Sequence, residues 1–485
     1  MKKYLLLSLL TTSLLLTDTT ASACTTLLVG KEQTTDGSYI AARTVDGHAQ
    51  NMTRLALHPR LEKQRGNYIS TQDKFTYPLP MTGMAYSSTP DTDDIDSWGD
   101  SGFNEAGVGM SSTETICHNE QALALDPYIP DTGTSEATMF ENILPAVTSA
   151  KAGAARLGQI IEEKGASEGF GAAFIDRTGI WYLESAGGHR WMAARIPDNM
   201  YFATGNQGRL RTYDPADTAN YMGSKDLIGF ARQHGLCPKD GPFDFHKAYI
   251  LDEAKDHTYS YPRVWAIQHT LTPSITTTVE NGAEHPVFLS ADKKISLADI
   301  KAVFRNHYTC TSHDPYLHKN PKEPYRPIDI FRCEQSHILQ IRPELPAAIG
   351  STMYIAFGMP SLGLYLPIYQ GADSYIPAYW EGSYTSAIWK YRRLQTLAMT
   401  DYNTYAPAIQ KAYAGFEAAT AIKQDAMEKK YLALYKTQPK EAKKLLQAFE
   451  DDVMQGGIDL ADKLFNELLT KMMQSVETKY MFHRA

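Results

Sequence analysis

The chain reads as an α+β protein in which packed sheets are covered by helices, and three features of the sequence lead there. Short runs rich in β-branched and aromatic residues, bounded by Gly, Asp and Pro, fill the first part of the chain. Helical blocks rich in Ala, Leu, Ile and Glu separate groups of such runs, the pattern of layered sheets and helices. Beyond about Tyr384 a helical period continues to the end.

Taken along the chain, residues 25–29, 39–43 and 53–58 read as strands, with Asp36-Gly37-Ser38 among the turn signals. Residues 102–114 form a hairpin turning at Asn104-Glu105-Ala106-Gly107. Residues 135–164 are helical and stop at Gly165. A second hairpin joins 171–175 to 180–184 through Asp176-Arg177-Thr178-Gly179, and strands at 190–196 and 201–204 continue it. Helices are expected at 224–234, 245–255 and 297–304, and strands at 337–341, 353–357 and 364–367. In the last stretch Leu460, Leu464, Leu468, Met472 and Val476 recur every four residues beside Phe465, Leu469 and Met473. This apolar stripe suits packing on the body of the protein. Gly456-Gly457 is expected to separate the final helix from the one before it.

With 485 residues, the chain can form one large elaborated domain or two to four units. Hydrophobic residues at 43% and charged residues at 21% exclude wholesale disorder. A net charge of −8 leaves no basic excess to neutralise phosphates, which argues against nucleic acid as a partner. No repeat of solenoid period is present.

Lys2 and Lys3 precede an apolar stretch at 4–16, and Ala21-Ser22-Ala23 follows with the small-x-small pattern of a signal-peptidase site. The apolar stretch is too short to span a bilayer, and no later one qualifies. Residues 1–23 therefore read as an export signal, and the expected location is periplasmic or secreted. Residues 24–383 read as the main domain and 384–485 as a helical extension packed on it.

Cleavage after Ala23 makes Cys24 the first residue, placing a thiol and a free α-amine on one residue. With reference pKa values of about 8.5 and about 7.7–8.0, the amine can serve as base for the thiol. The alternatives are an inert buried cysteine, a disulfide partner, or a lipid-attachment site in a binding protein without catalysis. Cys117, Cys237, Cys310 and Cys333 are even in number, which permits up to two disulfides in an oxidising compartment. Cys310 and Cys333 are the nearest pair. Cys310 and His313 have a ligand-like spacing, but without a second such pair this is a weak signal for metal.

A thiol nucleophile also needs a cation, oxyanion donors and a carboxylate that orients its base. Arg43 and Asp46 fall where the strand of the first hairpin returns beside Cys24: Arg43 would lower the thiol pKa and Asp46 would hold the α-amine. Trp98-Gly99-Asp100-Ser101-Gly102 contains the GDSG of trypsin-like proteases but lacks the following Gly-Pro, so it is discounted. No phosphate loop or dinucleotide fingerprint occurs.

Cys24-Thr25-Thr26-Leu27-Leu28-Val29-Gly30, Asp36-Gly37-Ser38 and Ala42-Arg43-Thr44-Val45-Asp46 resemble the opening of the bacterial dipeptidase A (PepD-type) family of N-terminal-nucleophile cysteine hydrolases, relatives of the secernins. The segment 104–114, Trp181-Tyr182-Leu183-Glu184 with Gly188-His189-Arg190-Trp191, Ile196-Pro197-Asp198, and Tyr325-Arg326-Pro327-Ile328 with 334–342 extend the resemblance to about residue 400. It implies a four-layer αββα sandwich and a cysteinyl thioester pathway on dipeptides, without cofactor or metal. Carried over by motif, Cys24 is the nucleophile, Arg43 and Asp46 support it, and Asn206 in Ala203-Thr204-Gly205-Asn206-Gln207 serves the oxyanion. The resemblance also implies Arg326 as a further active-site cation. Thr44 replaces the Asn that usually follows this Arg.

For the substrate, Glu114 can hold the α-ammonium, although Glu184 and Asp314 compete for that role, and His189 can touch the substrate. Trp181, Tyr182 and Trp191 read as core aromatics, and Asn104 as a residue of its turn. The expected partners are small peptides, with a homo-oligomer left open. The rival activity is cleavage of non-peptide amides such as penicillin V or conjugated bile salts.

Overall fold

A computed structural model describes residues 24–481, apart from 64, 65, 93, 281, 310 and 319–321. The expected export segment, Cys310 and its pairing with Cys333 or His313 lie outside the described residues. The chain begins with β1 (Thr25–Val29) and β2 (Tyr39–Asp46), then forms the short strands β3 (Ala56–His58), β4 (Asn67–Ile69), β5 (Thr76–Pro78) and β6 (Tyr86–Ser88). The first predicted hairpin is β7 (Ser101–Phe103) and β8 (Gly109–Thr115). Asn104 closes its turn, accepting from Ala106 N at 3.1 Å and Val108 N at 3.0 Å, and its amide donates to the Leu144 and Val147 carbonyls.

Helix α1 (Glu120–Leu125) comes next. The helix expected over 135–164 is instead two: α2 (Met139–Ile143) and α3 (Ala150–Lys164). Pro145 lies in a 3-10 turn between them, and Ser149 restarts the helix by accepting from Ala152 N at 3.1 Å. Then follow β9 (Phe170–Asp176), β10 (Gly179–Ser185), β11 (Trp191–Arg195), β12 (Tyr201–Thr204) and β13 (Tyr221–Gly223).

The remaining elements are α4 (Leu227–Gln233), α5 (Phe245–Tyr249), α6 (Tyr261–Leu271), β14 (Phe288–Leu289), α7 (Leu297–Phe304), β15 (Cys333–Ile341), α8 (Ala347–Gly350), β16 (Ser351–Phe357), β17 (Leu366–Tyr369), α9 (Pro377–Trp380), α10 (Ala387–Ala398), α11 (Tyr402–Leu434) and α12 (Pro439–Lys479). The helix expected at 245–255 ends after one turn, with Ile250 already extended. Nothing in the sequence pattern announced α6.

Most strands form two antiparallel sheets, ordered β14-β12-β1-β2-β15-β16-β17 and β13-β11-β10-β9-β8-β7, while β3 with β6 and β4 with β5 form two-stranded ribbons. Strand β12 thus joins the first sheet by pairing with β1, and does not continue the second hairpin as expected. The sheets face each other through Leu28, Tyr39 and Ala41 on one side and Ala173, Ile175 and Tyr182 on the other. The outer face of the second sheet packs Ala172, Phe174 and Leu183 on α2 and α3, while Leu27, Ile40 and Ala42 of the first pack on α6 and α7. The architecture is therefore the αββα sandwich, with Trp181, Tyr182 and Trp191 in its core.

Helix α12 runs unbroken through Gly456-Gly457. A Cβ at Gly457 would stand 2.6 Å from the Tyr391 hydroxyl, and one at Gly456 3.1 Å from Phe416, so these glycines admit neighbouring helices instead of ending one. The stripe packs through Leu464 and Leu468, while Met473 and Val476 emerge into solvent. No helix of the described residues is long and apolar enough to cross a membrane.

Candidate active site

Strand register places the nucleophile candidate. Thr26 pairs with Arg43 and Thr25 with Thr44, so alternation sets Cys24 and Arg43 on the face that looks toward the second sheet. Both are fully buried, and Arg43 Nη2 lies 3.1 Å from Cys24 Sγ. A guanidinium at that distance favours thiolate over thiol. Its other end donates to the Ser112 carbonyl of the facing sheet. Thr44, standing where the family pattern has Asn, accepts from Thr25 N at 3.2 Å and so serves the strand pair.

Carboxylates surround Arg43. Glu136 Oε1 is 3.3 Å and Asp100 Oδ1 3.5 Å from Nη2. Asp100 and Trp98 both hold positive φ, at 45° and 56°, which swings the buried Asp100 toward the guanidinium. Burial pushes the Asp100 carboxyl well up, with Arg43 opposing the shift. Behind it, Glu334 shares a hydrogen bond with Asp91 and accepts from His48 N at 2.8 Å and Asn51 Nδ2 at 2.9 Å. Burial, with Asp91 and Asp100 nearby, drives Glu334 upward. The GDSG segment is thus not a serine-protease motif, yet its aspartate belongs to the site.

The second cation at Cys24 is Arg263, on the unpredicted α6. It donates to the Cys24 carbonyl, to Thr25 Oγ1 at 2.9 Å and to Asn206 Oδ1 at 2.8 Å, while its Nε donates to the Tyr259 carbonyl at 2.7 Å. A guanidinium has only donors, so it turns the oxygen of Asn206 inward and the NH₂ end away. Asn206 holds φ 54° after Gly205, where a Cβ would stand 2.8 Å from the Arg263 guanidinium carbon. A cavity of about 300 Å³ opens beside Asn206, lined also by Thr115, Cys117, Lys255 and Tyr259. One guanidinium therefore braces the Cys24 carbonyl and the Asn206 side chain together.

Asp46 and Arg326 come together as a buried ion pair, and this pair prevails over burial to raise the Arg326 pKa. Arg326 also stacks over Tyr259, 5.1 Å from its ring centre, and Arg332 donates to the Asp46 carbonyl. Pairing of Thr25 with Thr44 puts Cys24 level with Val45, one residue from Asp46. Glu114 sits on β8 opposite Gly171, just past a bulge, and its side chain lies outside the described part of the structure.

His189 is tied to Asp126, with Nδ1 at 2.9 Å and its backbone N at 2.8 Å, and shares that aspartate with Arg190. The structure does not join it to the residues around Cys24. Glu184 is fully buried and accepts from the amides of Arg209 and Leu210; burial pushes it up to about 8. Asp314 caps Tyr316 and Leu317 and stands 3.0 Å from His307. Both acids have structural partners. Cys117, Cys237 and Cys333 carry free thiols among the described residues, so no disulfide joins any two of them.

Residues 23–414 match the model of peptidase family C69. A probable dipeptidase of Salmonella dublin is 53% identical over 357 residues, covering 73% of this chain and 82% of that protein. A dipeptidase A of Lactobacillus helveticus is 31% identical over 472 residues, covering 94% and 96%. A conjugated bile acid hydrolase mutant from Clostridium perfringens aligns structurally at 8% identity, covering 72% of this chain and 93% of its own, with a TM-score of 0.26. The matched span begins one residue before the buried cysteine and takes in both sheets, and the chain belongs to peptidase family C69.

Proposed function

We propose that this peptidase is an exported dipeptidase that works through a thioester on Cys24, freed as the first residue by cleavage after Ala23. The observation that carries this reading is Arg43 Nη2 at 3.1 Å from a buried Cys24 Sγ at the head of β1. Relatives named as dipeptidases, similar over most of their length, support the substrate class.

In the proposed sequence the Cys24 sulfur attacks the carbonyl carbon of the first substrate residue, and its own α-amine takes the thiol proton. The tetrahedral oxyanion is held by the Asn206 amide, whose orientation Arg263 sets. The α-ammonium then protonates the leaving amino acid as the C–N bond breaks. A water, deprotonated by the same amine, attacks the thioester and releases the first residue with the thiol restored. Asp46, one residue from the level of Cys24, is positioned to receive the new ammonium beside Arg326.

Cys24→Ala is expected to lose all turnover of a dipeptide panel and Cys24→Ser most of it, measured as liberated amino acid. Full activity in Cys24→Ala would overturn the reading. A wild-type enzyme that cleaves N-acyl amides but no dipeptide would move the assignment to acylase chemistry.

A further inference from the structure

A cavity of about 330 Å³ lies away from Cys24, between the β3–β6 ribbon, the β4–β5 ribbon and α2. Its most unusual wall is Glu141. This side chain is 4% exposed, lines the cavity, and has neither carboxylate oxygen hydrogen-bonded to another residue. Buried carboxylates are ordinarily paired, because leaving one unpaired costs several kcal/mol on the order of the desolvation penalty. Burial, reinforced by Asp96 and Asp94, pushes Glu141 up to about 8.

The same cavity is lined by Asp94 and Asp96, with His58 as the remaining ionisable group besides the tyrosines, and among the described residues no Lys or Arg lines it. Apart from His58, the ionisable groups described in its wall are therefore acids and tyrosines. Tyr68 and Tyr86 supply aromatic faces, and Leu61, Leu79 and Pro145 supply apolar surface. Tyr86 is held in place by stacking on His58 with ring centres 4.1 Å apart, and His58 is itself fixed by Ser88 Oγ at 2.8 Å and Asp96 Oδ1 at 3.2 Å. That Ser–His–Asp chain is not a second hydrolytic centre, because Ser88 is 1% exposed and out of reach of a substrate. Its effect is to pin the aromatic wall.

We infer that this cavity is a binding site for a small organic ammonium ion, with the charge on Glu141 and the Tyr68 and Tyr86 faces and the apolar body against Leu61 and Leu79. A hard metal ion would demand converging oxygen ligands, whereas here half the wall is aromatic or aliphatic. An ammonium is attracted by carboxylate and ring face together, and the volume suits one small molecule.

The test titrates 3-methylbutylammonium into the full chain by calorimetry, with 3-methylbutanol as its uncharged counterpart. Saturable binding of the ammonium, at least about tenfold tighter than the alcohol, is expected. Glu141→Gln should weaken the ammonium at least about tenfold while leaving peptide turnover unchanged. No saturable binding to the wild type, equal affinity for the alcohol, or unchanged affinity in Glu141→Gln would overturn the inference. The comparison of the two probes on the wild type needs no variant to fold, and its result is independent of whether the enzyme cleaves dipeptides.

Discussion

Replacing Arg263 by Met should damage the fold and the chemistry together, because one buried guanidinium serves both. The substitution keeps a long apolar stem but removes every donor. Thr25 Oγ1, Asn206 Oδ1 and the carbonyls of Cys24 and Tyr259 then lose a charged partner. Each buried acceptor left bare costs roughly 1–3 kcal/mol, and a buried network broken on one side typically costs about 3–5 kcal/mol in all. Relaxation and entering water bring the sum of the four toward that range. Urea unfolding should therefore show Arg263→Met less stable by about 3–5 kcal/mol with an unchanged slope. Freed of its brace, Asn206, the proposed oxyanion donor, can turn its amide, and kcat should fall about 10²–10³-fold, the usual cost of losing such a donor. Arg263→Lys keeps the charge but reaches fewer partners, and should fall between. If Arg263→Met unfolds within about 1 kcal/mol of wild type and keeps kcat within about threefold, the bracing role is wrong.

The close approach of α12 to α10 gives a paired test: Gly457→Ala puts a methyl 2.6 Å from the Tyr391 hydroxyl and should cost about 1–2 kcal/mol net of helix propensity, whereas Gly415→Ala on α11 meets nothing within 4 Å and should gain about 0.5–1 kcal/mol. Equal effects in thermal melts would refute the packing argument. Glu184 holds its proton in the folded state up to about pH 8, while the unfolded chain releases it near about 4.3, so stability should fall as pH rises through that window, by up to about 1.4 kcal/mol per unit. Glu184→Gln keeps the acceptor and removes the titration, and a pH slope of unfolding identical to wild type would contradict the assignment.

Local signals carried much of this fold into the sequence. Both hairpins were legible because Asn104-Glu105-Ala106-Gly107 and Asp176-Arg177-Thr178-Gly179 encode their turns, and β1 and β2 because Gly and Asp bracket them. Cys24, Arg43 and Asp46 were legible as one group because a single hairpin brings them back together. What stayed hidden depends on contacts distant in sequence. Helix α6 is buried on nearly every side, so Tyr261, Val264, Ala266, Ile267 and Leu271 show no one-sided stripe, and Arg263 was invisible with it. Asp100 looked like part of a stray protease motif, since its approach to Arg43 depends on positive φ at Trp98 and Asp100. Gly456-Gly457 resembled a break because a helix-helix crossing and a helix end both call for glycine. Strand β12 changes sheets, and proximity in sequence to β11 pointed the other way.

The decisive measurement is the intact mass of the protein recovered from the exported fraction, taken together with its turnover of dipeptides. An active chain that begins at Cys24 with an unmodified α-amine is the predicted result. An active chain that begins elsewhere, or one whose first amine is acylated, would contradict the proposal that this nitrogen is the proton acceptor for the thiol.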